Sequence, residues 1–573
     1  MEYNRITQAT LLSFFALLSV TSAQEVLKTR ADYGDIYGIV ISMNGSPTNS
    51  RGISWYSTDR LVDSNVLVRE SGTSWDEAQL FSGERGTHNF QVDNSLVRKD
   101  FYIHKVIVGS LNPGTNYEYK VGSDALNTWS DVGTFKTDAL DSNNVSFMVT
   151  TDVHYGASEK VGYRYYDNAI ESAYANDPDL DFLVMTGDLV NQWSDELYTY
   201  VYKEEEWIDA YTGNTYLPYT TFVHSAGNHD INERNDDFSY SIFNHYAIAP
   251  APGLETKHGV TYSYDYGNAH FVVWNNPDTD YVYPQNQLDW LAADLAATTK
   301  DWKFLFAHVP LYEGQLNYTD ELIQILEAND VDIVFTGHRH YYMRTKPMKN
   351  KVPTSMVTIN ESAGHVQKIY TLENEGVVHV TNSSTGGASA WRIHNGAVSS
   401  NVASNFGLNS VLPGVGTVQH GNGMYSLVTV NDNELTVDVY FRTTTSPEAP
   451  FNLLESYGNR KDYYKSLNRA IEAITPNEEL TYADLEYLLA LSQNLNKYEN
   501  AFPELAALVT DDNKAKLAGA IDYILNPPPV VTDPPVSPST NTGLYIGLGV
   551  GTLFIAVAAV YFIKFSKKRR LMS

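Results

Sequence analysis

Five times between residues 145 and 340 an apolar run of strand length ends on a side chain that ligates metals. VSFMVTT runs into Asp152-Val153-His154, DFLVMT into Gly187-Asp188, and TTFVHSA into Gly227-Asn228-His229-Asp230. KFLFA runs into His308, and VDIVFT into Gly337-His338-Arg339-His340. Strand runs alternating with helical stretches predict an α/β domain over residues 141–445. Neighbouring strands lie only about 5 Å apart, so ligands at their carboxyl ends converge on one crevice. Asp152 and His154 are two residues apart, as are His338 and His340. On an extended backbone that spacing projects each pair to one side. Gly187, Gly227 and Gly337 permit sharp turns and close backbone approach beside these ligands.

The set holds two carboxylates (Asp152, Asp188), four imidazoles (His154, His308, His338, His340) and one carboxamide (Asn228). That is too many donors for one tetrahedral ion and about right for two ions sharing a carboxylate. Mixed nitrogen and oxygen ligation suits divalent Zn, Mn or Fe better than Ca or Mg. Two such ions about 3.5–4 Å apart clamp a phosphoryl group and generate hydroxide between them. The chain has no cysteine, which excludes thiolate ligation, thiolate catalysis and disulfides. The formal net charge of −29 argues against nucleic acid as a partner, and an anionic substrate then needs a local positive centre.

The order D-x-H, G-D, G-N-H-D, H, G-H-x-H resembles the calcineurin-like metallophosphoesterase superfamily. More closely it resembles purple acid phosphatases, which carry a fibronectin-like domain ahead of the catalytic one. TYSYDYGNAHFVVWNN, QLDWLAADL, KFLFAHVPLY and GHRHYYMRT are similar to blocks of that family, and the resemblance covers roughly residues 30 to 445. It implies an acid phosphatase-like hydrolase that cleaves small phosphate monoesters with a metal-activated hydroxide. By the same resemblance Asp152, His154, Asp188 and His340 hold one metal, Asn228, His308 and His338 hold the other, and Asp188 bridges. His229 would act catalytically, facing the leaving-group oxygen or stabilising transition-state charge. Asp230 would orient an imidazole, and Arg339, Tyr342 and Arg344 would be structural. Two positions depart from the family. His154 stands where purple acid phosphatases have Gly, and Asn191 where they have the Tyr whose phenolate binds Fe(III). A tyrosinate–Fe(III) centre is therefore not expected, and two divalent ions are. Tyr155, His224, His379 and Asn382 lie near the motifs without an assigned role. A phosphodiesterase or nucleotide hydrolase remains an alternative. An inactive surface receptor is disfavoured because no ligand of the set is missing.

At 573 residues the chain exceeds one core, and the predicted organisation is multidomain. Residues 1–23 read as a signal peptide, with the apolar run LLSFFALLSV followed by small residues. Residues 24–140 carry short alternating strands with turns about every ten residues, predicting an all-β fibronectin type III-like sandwich. The α/β metallophosphoesterase domain, two mixed sheets flanked by helices, follows to residue 445. Residues 446–526 read as a helical extension, 527–542 as a Pro-rich stalk and 543–563 as one transmembrane helix. The basic tail 564–573 is cytosolic by charge, which leaves the body outside the cell, joined to the membrane by a single helix. The triplets at Asn144, Asn317, Asn360 and Asn382 are compatible with N-glycosylation.

Overall fold

The computed structural model describes residues 36–57, 63–92, 97–155, 162–191, 210–231, 260–277, 283–312, 320–354, 357–363, 366–373, 375–386, 392–393, 423–442, 444 and 446–528. The expected signal peptide, the transmembrane segment, the basic tail, most of the stalk and Asn317 lie outside them. No helix among the described residues is long and apolar enough to cross a membrane.

The N-terminal strands form a sandwich. One layer holds β1 (Ile36–Ser42), β2 (Arg51–Ser57), β5 (Glu84–Val92) and β6 (Val97–Val108). The other holds β3 (Asn65–Glu70), β4 (Gln79–Ser82), β7 (Asn116–Ser123) and β8 (Thr128–Trp129), with β9 (Gly133–Lys136) paired to β7. Alternate residues fill the space between the layers: Ile53 and Trp55 from β2, Val66 and Val68 from β3, Val106 and Val108 from β6, Tyr117, Tyr119 and Val121 from β7.

The catalytic region adds β10 (Asn144–Thr150), β11 (Phe182–Met185), β12 (Thr221–His224), β13 (Tyr262–Tyr266), β14 (Ala269–Val273), β15 (Trp302–Phe306), β16 (Ile333–Thr336) and β17 (Tyr341–Arg344). A two-residue hairpin, β18 (Met348–Lys349) with β19 (Val352–Pro353), precedes β20 (Val357–Ala363), β21 (Val366–Leu372), β22 (Val378–Thr381) and β23 (Arg392–Ile393). β24 (Met424–Asn431), β25 (Glu434–Arg442) and β26 (Phe451–Arg460) complete the strands. Both large sheets are mixed, as the sequence predicts. β10, β11 and β12 run parallel while β24 opposes β10, and β14, β15, β16 and β22 run parallel while β13 and β17 are antiparallel to their neighbours.

Strand alternation sorts the apolar residues into three layers. Phe147, Phe182, Phe271, Phe304, Phe306 and Phe335 meet between the two sheets. Phe147 stacks on Phe182 with ring centroids 5.2 Å apart and meets Phe271 and Phe304 edge-on, each at 5.3 Å. The intervening residues face outward. Met148, Leu183 and Met185 pack against the helix Gly162–Asn176, and Val272, Leu305 and Val334 against the helices Gln285–Ala297 and Asp320–Ala328.

One feature goes beyond the sequence reading and one differs from it. The N-terminal sandwich shares a sheet with the catalytic region. β1 pairs parallel with β12, Ile41 opposite Thr221, so one 12-stranded sheet runs β20-β21-β26-β25-β24-β10-β11-β12-β1-β2-β6-β5. Arg51 seals the joint from β2: it is buried, and its guanidinium donates to Thr221 Oγ1 and to the carbonyls of Pro47, Ser50 and Lys136. The correction concerns residues 446–526. Phe451–Arg460 is a strand, paired to β25 on one side and β21 on the other. Its Asn, Ser and Gly residues are poor helix formers, and the open edge of β25 supplies the partner. The helices begin at Tyr463 and bury Leu467, Leu488, Leu491 and Tyr498 against Ile359, Tyr370 and Leu372 of the β20–β21 hairpin. The first of them has no side-chain cap of its own. Glu373 supplies one, accepting from the amides of Asp462 and Tyr463.

Candidate metal centre

Asp152, His154, Asp188, Asn228, His308, His338 and His340 all come together at the carboxyl ends of β10, β11, β12, β15 and β16. The geometry divides them in two. Asp152 Oδ1 lies 3.1 Å from His340 Nε2 and 3.6 Å from His154 Nε2, and those two nitrogens are 3.0 Å apart. On the other side Asn228 Oδ1 lies 3.0 Å from both His308 Nε2 and His338 Nδ1. Asp188 stands between the halves, its Oδ2 3.2 Å from His308 Nε2 and 3.6 Å from His154 Nε2.

These atoms fit a cation. His308 Nδ1 is committed to the carbonyl of Thr186 at 2.8 Å, so neutral His308 turns a bare Nε2 toward Asn228 Oδ1 and Asp188 Oδ2. Three lone pairs then converge, which only a positive charge reconciles. Asp152 Oδ1 is buried and faces the His340 and His154 ring nitrogens, while Oδ2 accepts from Thr151 Oγ1 and the His338 amide. Without metal, protons fill the role. Burial pushes the His308 imidazole down, but Asp188 outweighs it and lifts it to about 9. Asp152 and Asp188 are held below the usual carboxylate range despite burial, Asp152 by His340 and His154 and Asp188 by His308 and His229. His338, with burial and His308 against it, falls to about 4.

The backbone here is not the extended one that the two-residue spacing suggests. Asp152 (φ 50°), His154 (φ 50°), Asp188 (φ 57°), His338 (φ 69°) and His340 (φ 52°) are all left-handed. They follow the last strand residues Thr150, Met185 and Thr336, in turns. Each such non-glycine residue costs roughly 1–3 kcal/mol and persists only where its surroundings over-determine it. The hydrogen bonds that do so are specific. The amides of Asp152, His154 and Tyr155 donate to the carbonyls of Gly187, Asp188 and Leu189, zipping the first ligand loop to the second. Ser384 Oγ donates to the Asp152 carbonyl at 2.6 Å and Ser383 Oγ to the His340 carbonyl at 2.9 Å, so adjacent serines hold two strained members of the cluster. A Cβ on Gly337 would collide with Thr151 Oγ1 and Asp152 Oδ2, and Gly187, at φ 101°, admits no side chain beside the His308 ring.

Asp230 stands beside an imidazole, that of His224, and binds backbone amides as well. Its carboxylate accepts from the amides of Asp188 (2.8 Å), Gly227 (2.9 Å) and Val190 (3.3 Å), stapling two ligand loops, and the imidazole beside it is His224 at 3.3 Å. His229 donates its amide to Asp188 Oδ1 at 2.8 Å and sets its ring edge-on to His154, centroids 4.5 Å apart. It also groups with His154 and Asp188 as a set able to hold an ion. Tyr155 bridges to Val190 and is buried, and His379 is buried against Tyr312, its ring nitrogens without hydrogen bonds among the described residues. Asn382 is fully buried and accepts from Ser426, so it is no glycan acceptor, whereas Asn144 and Asn360 are exposed. Tyr342 and Arg344 both bind Glu455 of β26, consistent with a structural role. Thr151 and Ser383 carry no motif of their own, and Ser384 only closes the Asn382 triplet. Only their position beside the ligands could have singled them out.

Residues 145–342 match the calcineurin-like phosphoesterase family, and residues 36–137 the purple acid phosphatase N-terminal domain. The chain thus carries a calcineurin-like phosphoesterase domain behind a purple acid phosphatase N-terminal domain. An uncharacterized protein of Mycobacterium tuberculosis is 22% identical over 354 residues, covering 56% of this chain and 64% of that protein. Purple acid phosphatase 23 of Arabidopsis thaliana is 23% identical over 382 residues, covering 57% of this chain and 80% of that protein. Among solved structures, a purple acid phosphatase from yellow lupin (Lupinus luteus) seeds superposes with a TM-score of 0.54 at 17% identity, over 77% of this chain and 76% of that one. It shares the fold. The His and Asp clusters of this chain are compatible with a dinuclear metal centre.

Proposed function

We propose that this chain is a dinuclear-metal phosphatase that hydrolyses phosphate monoesters, with the activity of an acid phosphatase. The observation that carries the reading is the pair of donor clusters meeting at Asp188. Asp152, His154, Asp188 and His340 would hold one divalent ion, and Asp188, Asn228, His308 and His338 the other. Such ions supply Lewis-acid polarisation of a phosphoryl oxygen and lower the pKa of water. The chain's own residues do the rest. Asp188 neutralises charge on both sides of the site while the His229 amide fixes its second oxygen. His229 itself, the ring beside His154 that the ligand assignment leaves over, is the proton donor for the leaving-group oxygen. His338 and His340 are the half-buried ligands, so an ester approaches from their side.

The test is metal analysis of the purified ectodomain together with an ester screen. Two ions per chain, and faster hydrolysis of p-nitrophenyl phosphate than of bis(p-nitrophenyl) phosphate, are expected. One ion or none, or turnover of the diester alone, would overturn the reading. The sequence also supports an outward-facing body tethered by residues 543–563. Protease applied to intact cells should then release active fragment by cutting between residues 527 and 542. Activity confined to the cell interior would refute that placement.

A further inference from the structure

We infer that Asn191 is a positioning residue that sets the tautomer and ring orientation of His154, and thereby completes one of the two ion sites. The inference rests on the two-ion reading above. His154 Nδ1 lies 3.1 Å from Asn191 Oδ1, on the side of the ring away from the carboxylates. Its Nε2 faces inward, 3.6 Å from both Asp152 Oδ1 and Asp188 Oδ2 and 3.0 Å from His340 Nε2. An imidazole can ligate through Nε2 only if that atom is bare, so the proton must sit on Nδ1, and a bare oxygen must receive it. Asn191 Oδ1 is placed to do so.

The backbone delivers Asn191 with little freedom. Its amide donates to the Tyr155 carbonyl at 2.9 Å, Tyr155 donates to Leu189 at 2.8 Å, and Tyr155 and Val190 form a parallel bridge. The ladder that zips the first ligand loop to the second thus ends one residue beyond His154, and the Asn191 side chain folds back from it onto the ring. His308 is fixed by the Thr186 carbonyl, and His340 by Ser383 on its own carbonyl. His154 sits at φ 50°, and Asn191 is the polar contact on its outer nitrogen.

A carboxamide carries both a donor and an acceptor, whereas a carboxylate only accepts, so substitution separates the possibilities. Chelator-stripped full-length protein is titrated with Co²⁺, following its visible absorbance and the bound stoichiometry. Wild type should take up two ions. Asn191→Leu and Asn191→Ala, which share only the loss of the acceptor, should weaken one ion about 10–100-fold and leave the other unchanged. Their metal-free melting should move by only a few degrees. Asn191→Asp should keep both ions, and in a His154→Ala background Asn191→Leu should have no further effect. Two ions bound by Asn191→Leu or Asn191→Ala with wild-type affinity would overturn the assignment while leaving the two-ion reading intact. So would loss of one ion from Asn191→Asp. A wild type that binds fewer than two ions would overturn both.

Discussion

Glu455 lies in β26, a strand that the sequence does not announce, yet it holds the two halves of the catalytic region together. Its carboxylate accepts from Arg344 Nε at 3.0 Å, Arg344 Nη2 at 2.9 Å and the Tyr342 hydroxyl. Arg344 also lies 4.1 Å over the Tyr457 ring, and the side-chain exposures are only 13% for Arg344 and 9% for Glu455. Tyr342 and Arg344 belong to β17, which starts directly after His340, so this clamp ties the last ligand loop to the 12-stranded sheet. Glu455→Gln keeps the shape and removes the charge, leaving a buried guanidinium without its counter-ion. Breaking a buried pair from one side costs about 3–5 kcal/mol, and the near-isosteric amide keeps one acceptor, so the lower figure, about 3 kcal/mol, applies. At roughly 2–4 °C per kcal/mol for bodies of 150–250 residues, and less for larger ones, the midpoint should fall by about 5 °C. Thermal unfolding of the metal-free protein, followed by circular dichroism, measures it. Adding Arg344→Met to Glu455→Gln should restore part of the loss, because the orphaned charge goes with it. A Glu455→Gln midpoint within 1 °C of wild type, or a double variant worse than the single, would refute the reasoning.

Asp188→Asn keeps an acceptor for the His229 amide and tolerates the left-handed backbone, so it isolates the shared charge. It should lower kcat by at least about 10³ with the fold intact, and turnover above a tenth of wild type would count against the bridge. Burial pushes the His379 imidazole down to about 3, below its unfolded value near 6.5. Its unfolded form therefore binds a proton that the folded form refuses, and stability falls as pH drops from about 6.5 toward 3. His379→Phe should flatten that limb by up to about 1.4 kcal/mol per pH unit in denaturant titrations, and an unchanged slope would exclude His379 as its source. Deleting residues 36–137 should leave the remainder insoluble on expression, because β12 and the Phe222 face lose their neighbour; a soluble, metal-binding fragment would contradict this.

The cluster of candidate ligands is legible in the sequence because each member sits beside a glycine or at the end of an apolar run. Sheet geometry brings such positions together whatever the loops do. What the spacing does not reveal is the backbone. Asp and His in a left-handed turn look the same on the page as Asp and His on a strand, and only the tertiary hydrogen bonds from Ser383, Ser384 and the Gly187 loop decide between them. The hold of Asp230 on two loops is hidden for a similar reason, since the partners there are backbone amides, which every sequence contains. β26 escapes notice because FNLLESYGNR has no clean alternation. Both of its edges are paired, and five consecutive residues at its end are buried. The β1–β12 pairing joins positions too distant for any local pattern to register.

That last pairing has a consequence for how the chain is made. Ile41 waits for Thr221, which is 180 positions further along (221 − 41). At a synthesis rate of about 5–20 residues per second, the edge of β1 stays open for roughly 10–40 s while the intervening chain emerges. During that interval the N-terminal sandwich presents unpaired amides and carbonyls on the side where β12 will later dock, a template for any other extended segment within reach. Birth of this protein is thus a race between its own β12 and competing strands, and slowing elongation between residues 140 and 224 should raise the aggregated fraction without altering a single contact of the finished fold.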